Sequence, residues 1–195
     1  GGKAITLSGG STAEIVGLIP NRQFAQNNII YNSKGISTTG VGNIVSHNFV
    51  SNNIGTCIST TGNEHIIEYN EITGGPREVL DAGCIYVNGN NLLSRGTHVR
   101  YNYIHDGPSW ESRGIYFDDM LSENYGYGNI LDGVWFQIHT GSENTVYNNI
   151  MLNFTEKGVL RIGLNYWNAS KNGSTRWKTG ALEYGSLSNK LLKSE

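Results

Sequence analysis

Six segments of this chain repeat one short pattern, an alternating strand-like run that ends in Asn and continues with an apolar residue one or two positions later. Steps of 20, 22, 32, 27 and 20 residues separate the aligned Asn, which are Asn28, Asn48, Asn70, Asn102, Asn129 and Asn149. A second marker, a Gly that in most cases precedes an apolar residue, follows each Asn, at Gly35, Gly55, Gly83, Gly114, Gly133 and Gly158. Two strand signals per coil-length segment, with no helical periodicity between them, are typical of a parallel β-helix.

The repeat predicts an all-β fold, a right-handed parallel β-helix that forms a single-stranded solenoid of about six or seven coils. We expect the coils to occupy residues 1–165 and a C-terminal loop or tail, residues 166–195, to pack on the helix or leave it. The opening residues 1–7 resemble a strand in the middle of a domain, so we expect the chain to be a fragment of a longer helix. A β-sandwich is disfavoured because Asn88-Gly89, a hairpin-turn candidate, does not recur. A propeller blade needs about 40 residues or more, which exceeds the observed steps.

The aligned Asn are predicted to be structural. A turn between two sheets needs a residue that tolerates the left-handed αL conformation and bonds to nearby backbone. Asn side chains repeated once per coil can also stack in a hydrogen-bonded ladder along the solenoid. The neighbouring apolar residues are predicted to point into the core, and they are Ile30, Phe49, Ile72, Ile104, Ile130 and Ile150.

Composition excludes two classes of partner from our expectations. The net charge is −2, so the chain lacks the basic surface that nucleic-acid binding requires. Its sequence has no apolar run near the roughly 18 residues of a membrane span, and no signal peptide at its start. We therefore expect neither nucleic acid nor a membrane as a partner.

The two cysteines, Cys57 and Cys84, are predicted to lie in neighbouring coils. They are too few for a zinc site, which needs more ligands at closer spacing. Two readings remain open, a pair of small buried residues in the core and a disulfide.

The functional region is predicted from the places where the repeat is interrupted. Insertions in a solenoid collect on one face, which is often the binding face. The longest steps run from Asn70 to Asn102 and from Asn102 to Asn129, and they contain many of the ionisable residues. Any chemistry is therefore expected between Asp81 and His139.

Two motifs in this region carry a family resemblance. The stretch 81–86, Asp-Ala-Gly-Cys-Ile-Tyr, resembles a D-x-G-x-I-Y motif, and 114–119, Gly-Ile-Tyr-Phe-Asp-Asp, resembles a G-I-Y-x-D-D motif. Both are similar to motifs of a large family of secreted right-handed β-helix proteins, related to glycoside hydrolases and polysaccharide lyases of the pectin-lyase-like superfamily. The resemblance covers most of residues 1–165. It implies a polysaccharide or oligosaccharide substrate and a secreted or periplasmic location.

Hydrolysis of a glycosidic bond requires two carboxyl groups, about 5–5.5 Å apart for retention or about 6.5–9.5 Å apart for inversion. Four acidic residues in this region are catalytic candidates: Asp81, Glu111, Asp118 and Asp119. Aligning the two Ile-Tyr pairs stacks Asp81 on Glu111 and Asn88 on Asp118. Strand alternation then points Asp118 outward and exposed, with Asn88 below it and Gln137 above it. Asp81 and Asp118 are seven positions apart in register, so they converge only if the chain bends near Gly83.

Other side chains in the region are candidates for binding or assisting. Arg113 is a candidate lyase base or uronate ligand, and the alternative is an ion pair with Glu111 or Asp118. The candidates for substrate binding are Tyr86, Asn88, His105, Tyr116, Trp135, Gln137 and His139.

Three functions remain open from the sequence. The first is a glycoside hydrolase that uses a carboxylate pair and needs no cofactor. The second is a uronate polysaccharide lyase, for which an Arg base and calcium are expected. The third is a non-catalytic glycan-binding or structural solenoid, in which Asp118-Asp119 only closes a turn.

Overall fold

The computed structural model describes residues 2–79, 81–89, 94–109, 112–119, 121–139, 141–153 and 160–162. These residues form three parallel sheets and one short helix, α1 (Thr12–Val16). The strands of sheet 1 are β1 (Ile5–Leu7), β4 (Ile36–Val41), β7 (Ile58–Asn63), β10 (Gly83–Asn88), β13 (Arg113–Asp118), β16 (Trp135–Ile138) and β19 (Leu160–Ile162). The strands of sheet 2 are β2 (Phe24–Gln26), β5 (Ile44–Ser46), β8 (Ile66–Glu68), β11 (His98–Arg100), β14 (Tyr125–Tyr127) and β17 (Thr145–Tyr147). The strands of sheet 3 are β3 (Ile29–Tyr31), β6 (Phe49–Ser51), β9 (Glu71–Thr73), β12 (Tyr103–His105), β15 (Ile130–Asp132) and β18 (Ile150–Leu152).

Each coil contributes one strand to each sheet, and every strand pairs in parallel with the strand three places earlier or later in the chain. This arrangement confirms the all-β parallel β-helix predicted from the repeat. Its right-handed winding stays a prediction, based on the strong preference of parallel crossover connections for that hand. The predicted tail, residues 166–195, lies outside the described residues.

Inward-pointing side chains form continuous rows along the solenoid. In sheet 1 one such row is fully buried, and it contains Ile36, Ile58, Ile85, Ile115 and Phe136. In sheet 3 the inward residue is the second after the aligned Asn, because the first points outward. The predicted inward orientation is therefore confirmed for Ile30, Ile72 and Ile104. It is wrong for Phe49, Ile130 and Ile150, each of which is the first residue after its Asn and lies partly or largely exposed.

The predicted Asn ladder is present at the corner between sheets 2 and 3. Each side-chain amide donates to the Oδ1 atom of the Asn in the next coil, over distances of 2.8 to 3.0 Å. The αL conformation is not at these Asn, which corrects the prediction. It is at the residue before each one, for example His47 (φ 56°) and Tyr69 (φ 54°), so the ladder residue immediately precedes the next strand.

A second ladder, which the sequence did not reveal, joins sheets 1 and 2. Its positions are Asn43, His65, Thr97, Asn124 and Asn144, and each again follows a residue with positive φ. The Asn oxygens at this corner accept backbone N–H groups of the preceding coil, as Asn124 Oδ1 does from Thr97 at 3.0 Å. Three residue types share one structural position, which is why the pattern is weak in the sequence.

The two cysteines lie side by side in neighbouring coils, immediately before the paired residues Ile58 and Ile85. Both are free thiols and both are fully buried. The Sγ of Cys84 donates a hydrogen bond to the carbonyl oxygen of Gly75 at 2.8 Å. The reading of two small buried residues therefore describes this structure.

The long insertions flank one part of sheet 1. Residues 74–82 and 106–112 precede β10 and β13, and residues 89–97 and 119–124 follow these two strands. The described residues of these segments therefore lie before and after β10 and β13. This is the region in which the sequence predicted the functional residues.

Candidate functional site

Two outward rows of sheet 1 change character where the insertions begin. In the earlier coils these rows hold small hydroxyl residues, among them Ser37, Ser59, Thr39 and Thr61. From β10 onward one row holds Tyr86, Tyr116 and Gln137, and the other holds Asn88, Asp118 and His139. The outer face therefore gains large polar and ionisable side chains in three successive coils.

The register of β13 and β16 corrects one predicted neighbour. Gln137 pairs with Tyr116, and the position above Asp118 belongs to His139. The alignment of Gly markers missed this because Gly114 and Gly133 are not in register: they are 19 residues apart, whereas the paired residues Ile115 and Phe136, which follow a β-bulge, are 21 apart. Asn88 lies below Asp118, as predicted.

Asp118 points outward yet is buried, with 6% of its side chain exposed, whereas the sequence predicted an exposed carboxylate. Its Oδ2 accepts a hydrogen bond from the Tyr86 hydroxyl at 2.6 Å. Its Oδ1 lies 2.6 Å from Nδ1 of His139 and accepts the backbone N–H of Asp119 at 2.9 Å. These donors compensate the cost of burying a negative charge.

The hydroxyls of Tyr86 and Tyr116 lie in the field of this carboxylate. Burial, reinforced by the charge of Asp118, raises the pKa of each phenol above its ordinary value, so both hydroxyls stay protonated and act as donors. Their rings pack edge to face with centroids 5.3 Å apart. The Asn88 amide also donates to the Tyr86 hydroxyl, at 3.2 Å.

Asp81 approaches the same cluster from the segment before β10. Its side chain is 80% exposed, and its Oδ1 lies 3.5 Å from the Tyr116 hydroxyl, which donates to it. Burial and the charge of Asp118 raise the pKa of this phenol. Asp81 and Asp118 therefore both act on Tyr116, Asp81 through a hydrogen bond and Asp118 through its charge.

Gly83 permits the close pairing of β10 with β13. A Cβ atom at this position would lie 2.9 Å from the Cβ of Tyr116 and 2.8 Å from the carbonyl oxygen of Ile85. Any larger residue would therefore displace the strand that carries Tyr116. The sequence identified this position as the place where the chain must bend for Asp81 to reach Asp118.

Arg113 joins the two ends of the cluster. Its Nε donates to Oε1 of Gln137, and one of its terminal nitrogens lies 3.9 Å from Oδ1 of Asp81. The guanidinium also lies 4.9 Å from the ring centre of Tyr116 and 5.3 Å from that of the buried Trp135. The ion-pair alternative predicted for Arg113 thus has Asp81 as a described partner. The predicted pairing with Glu111 lies outside the described residues.

One group of side chains has the composition of a metal site. Ligand atoms of Asp118, Asp119 and His139 lie within 4.8 Å of one another, and the structure describes no second group of this kind. However, the 2.6 Å between Asp118 Oδ1 and His139 Nδ1 is a hydrogen-bond distance. An ion bound by both atoms would have to displace the proton between them, so this arrangement is that of a hydrogen-bonded pair.

Two predicted site residues are not part of the described cluster. His105 lies in β12 on sheet 3, where its Nδ1 contacts Asp106 at 2.7 Å and its Nε2 contacts Glu71 at 3.4 Å. Glu111 lies outside the described residues. The other predicted residues contact one another, and the pairing of His139 with Asp118 is the contact that the sequence did not predict.

A small cavity of about 110 Å³ lies among residues that precede β10 and β13. Its lining includes Pro76, Arg77, Ala82, Pro108 and Ser112. Ala82 follows Asp81 directly in the chain, so the cavity is close in sequence to the cluster.

Comparison with known proteins finds no match to this chain among family models, curated proteins or solved structures. None of the helices in the described part of the chain has the length and apolar character needed to span a membrane.

Proposed function

We propose that this protein is a glycoside hydrolase that cleaves a polysaccharide or oligosaccharide on the outer face of sheet 1. The observation that carries the proposal is that two neighbouring tyrosine hydroxyls donate to two different carboxylates, Tyr116 to Asp81 and Tyr86 to Asp118. The rings of these tyrosines are 5.3 Å apart, and the proposal requires that the two carboxyl groups lie within the roughly 5 to 9.5 Å over which such pairs hydrolyse glycosidic bonds.

The two carboxyl groups have different environments, as this chemistry requires. Asp118 is buried, and both of its oxygens are held by hydrogen bonds to Tyr86, His139 and the backbone of Asp119. Asp81 is exposed and can exchange its proton with solvent and with a leaving group. We assign Asp118 to the side of the reaction that activates the attacking water, and Asp81 to protonation of the leaving oxygen.

Substrate contacts in this proposal are polar. The rings of Tyr116 and Trp135 are 2% and 4% exposed, so their faces are covered by neighbouring groups. The accessible edges of the cluster are Asp81, His139 and the amide of Asn88, which suit sugar hydroxyls. The cavity that Ala82 lines offers space for part of one sugar ring.

The lyase alternative, with Arg113 as base and calcium as cofactor, has weaker support. The guanidinium donates to Gln137, lies beside Asp81 and packs against two aromatic rings. All of these contacts stabilise its protonated form, whereas a base must be neutral. Arg113 is better suited to orienting Asp81.

The motifs at 81–86 and 114–119 support a carbohydrate substrate and a secreted or periplasmic location through their resemblance to carbohydrate-active β-helix proteins. They contribute Asp81, Tyr86, Tyr116 and Asp118, which are the residues of the cluster itself. The proposal thus joins a sequence resemblance to a contact network in the same region.

A product assay distinguishes the three functions. The protein is incubated with a panel of neutral and acidic polysaccharides, and both new reducing ends and the ultraviolet absorbance of unsaturated uronates are measured. Hydrolysis predicts reducing ends without that absorbance, and no loss of activity after treatment with a chelator. Unsaturated products that disappear with chelator would establish the lyase instead. Binding without either product would establish the non-catalytic solenoid.

A further inference from the structure

We infer that His139, held in place by Asp118, is the group that accepts a proton from the attacking water, an assignment that rests on the hydrolase function proposed above. The hydrogen bond between Asp118 and His139 leaves one nitrogen of the imidazole free of this contact, whereas both oxygens of Asp118 are occupied.

The hydrogen bond determines which ring nitrogen carries the proton. Oδ1 of Asp118 and Nδ1 of His139 are 2.6 Å apart, and an ionised carboxylate can only accept. Nδ1 must therefore carry the proton in the neutral ring. The lone pair of a neutral imidazole is then on Nε2, at the far side of the ring from Asp118.

The position of the ring connects the buried carboxylate with solvent. The side chain of His139 is 32% exposed and that of Asp118 is 6% exposed. The backbone N–H of His139 donates to the carbonyl oxygen of Phe117 at 2.8 Å, which continues the sheet ladder and fixes the start of the side chain. The imidazole of His139 is thus oriented by Asp118 and presents Nε2 as an acceptor at the accessible edge of the cluster.

Asp118 has little capacity to act on a substrate directly. Tyr86 occupies its Oδ2, and His139 together with the Asp119 backbone occupies its Oδ1. A carboxylate in this arrangement orients the imidazole and stabilises the imidazolium that forms when Nε2 takes a proton. The same division of labour between a carboxylate and a histidine operates in hydrolases of other folds.

The reaction step balances as follows. A water molecule forms a bond to the anomeric carbon and gives one proton to Nε2 of His139. The bond from that carbon to the leaving oxygen breaks with its electron pair, and the oxygen takes the proton of Asp81. Solvent then returns the proton from His139 to Asp81. Direct attack by water predicts inversion at the anomeric carbon.

Substitution of His139 separates a catalytic role from a structural one. In His139→Asn the amide N–H can replace Nδ1–H as donor to Asp118, but no acceptor remains at the place of Nε2. We expect kcat to fall by about 10²- to 10⁴-fold with little change in KM, since general-base catalysis contributes that range. We also expect free imidazole to restore part of the activity of His139→Ala. His47→Asn, an exposed histidine at a sheet corner, is the matched control.

Two outcomes would overturn the inference while the hydrolase function stands. In the first, the wild type cleaves its glycan and His139→Asn retains activity within a few-fold of the wild type. In the second, imidazole restores no activity to His139→Ala. A wild-type protein that turns over no glycan defeats the proposed function, and the assignment of His139 fails with it. Loss in His139→Asn, rescue in His139→Ala and normal activity in His47→Asn support the inference.

Discussion

His65 occupies the position in the second ladder that Asn43 occupies one coil earlier, and its Nδ1 accepts the backbone N–H of Asn43 at 3.2 Å. Its Nε2 lies 3.2 Å from the carbonyl oxygen of Thr61 and donates to it. A second proton, on Nδ1, would point at the N–H of Asn43. Burial is the main cause that lowers the pKa of His65 to about 4, because a charged ring cannot be solvated there.

The lowered pKa predicts an acid-sensitive fold. The unfolded chain takes up a proton at His65 near pH 6.5, and the folded chain does so near pH 4. Between these values the unfolded state binds more protons, so the free energy of unfolding falls as the pH falls, by on the order of 3 kcal/mol in total. Urea unfolding at pH 7 and pH 4.5 measures the effect. Asn occupies three other positions of the second ladder, so His65→Asn should keep the fold and reduce this pH dependence. An unchanged dependence would contradict the role of His65.

The aligned Asn should contribute unequally to stability. Asn70 Oδ1 accepts both the backbone N–H and the side-chain amide of Asn48, and its own amide donates to Val45. Asn70→Ala leaves these buried groups unsatisfied and should lower the free energy of unfolding by about 3 kcal/mol. Asn28, at the first rung, has a part-exposed side chain. Asn28→Ala should cost only about 1 kcal/mol in the same denaturation assay. Equal costs would show that the ladder does not act through burial.

The first ladder was predictable and the second was not, for a physical reason. At the corner between sheets 2 and 3 one residue type, Asn, satisfies the donors and acceptors of every coil, so the repeat appears in the sequence. At the corner between sheets 1 and 2 the equivalent backbone N–H groups are accepted by Asn or His side chains, and the Thr97 hydroxyl has no hydrogen-bond partner among the described residues. Every position of the second ladder follows a residue with a positive φ, for example Gly42, Glu64 and Glu123. Sequence alone predicts a positive φ only at the glycines among them.

The site was predictable as a set of residues but not as a set of contacts. Strand alternation and the Ile-Tyr alignment correctly paired Tyr86 with Tyr116 and Asn88 with Asp118. The bulge at Arg113 changed the register of β16 and thereby brought His139 to Asp118. The burial of Asp118 depends on how neighbouring side chains cover the sheet, which a strand pattern does not contain.

The two cysteines should be unreactive thiols in the folded protein. Both are fully buried, and a hydrogen bond that the Cys57 thiol donates to Cys84, together with burial, raises the pKa of Cys57 well above its ordinary value. Because the thiolate is the reactive form, labelling with a thiol reagent should be very slow under native conditions. In denaturant, without reductant, two thiols per chain should react. A count of zero in denaturant would show that the pair forms a disulfide.

The Tyr86 hydroxyl should support both stability and activity. It donates to the buried Asp118 at 2.6 Å, so Tyr86→Phe removes one of the groups that compensate this charge. We expect the free energy of unfolding to fall by about 1 to 3 kcal/mol and kcat to fall about tenfold. The control is Tyr31→Phe, because Tyr31 is 56% exposed on sheet 3. Thermal unfolding and initial rates measure the two effects, and a Tyr86→Phe protein that behaves like Tyr31→Phe would refute this role.

The central claim is that Asp81 and Asp118 together carry out glycan hydrolysis on the outer face of sheet 1. Its most direct test is kcat for release of reducing ends by Asp81→Asn and Asp118→Asn, measured on the glycan that the wild type cleaves best. Asp132→Asn, on the outer face of sheet 3, is the control. We predict that each of the first two variants stays folded and loses about 10²- to 10⁴-fold in kcat, while the control keeps wild-type activity. Folded Asp81→Asn and Asp118→Asn proteins with activity close to that of the wild type would contradict the claim.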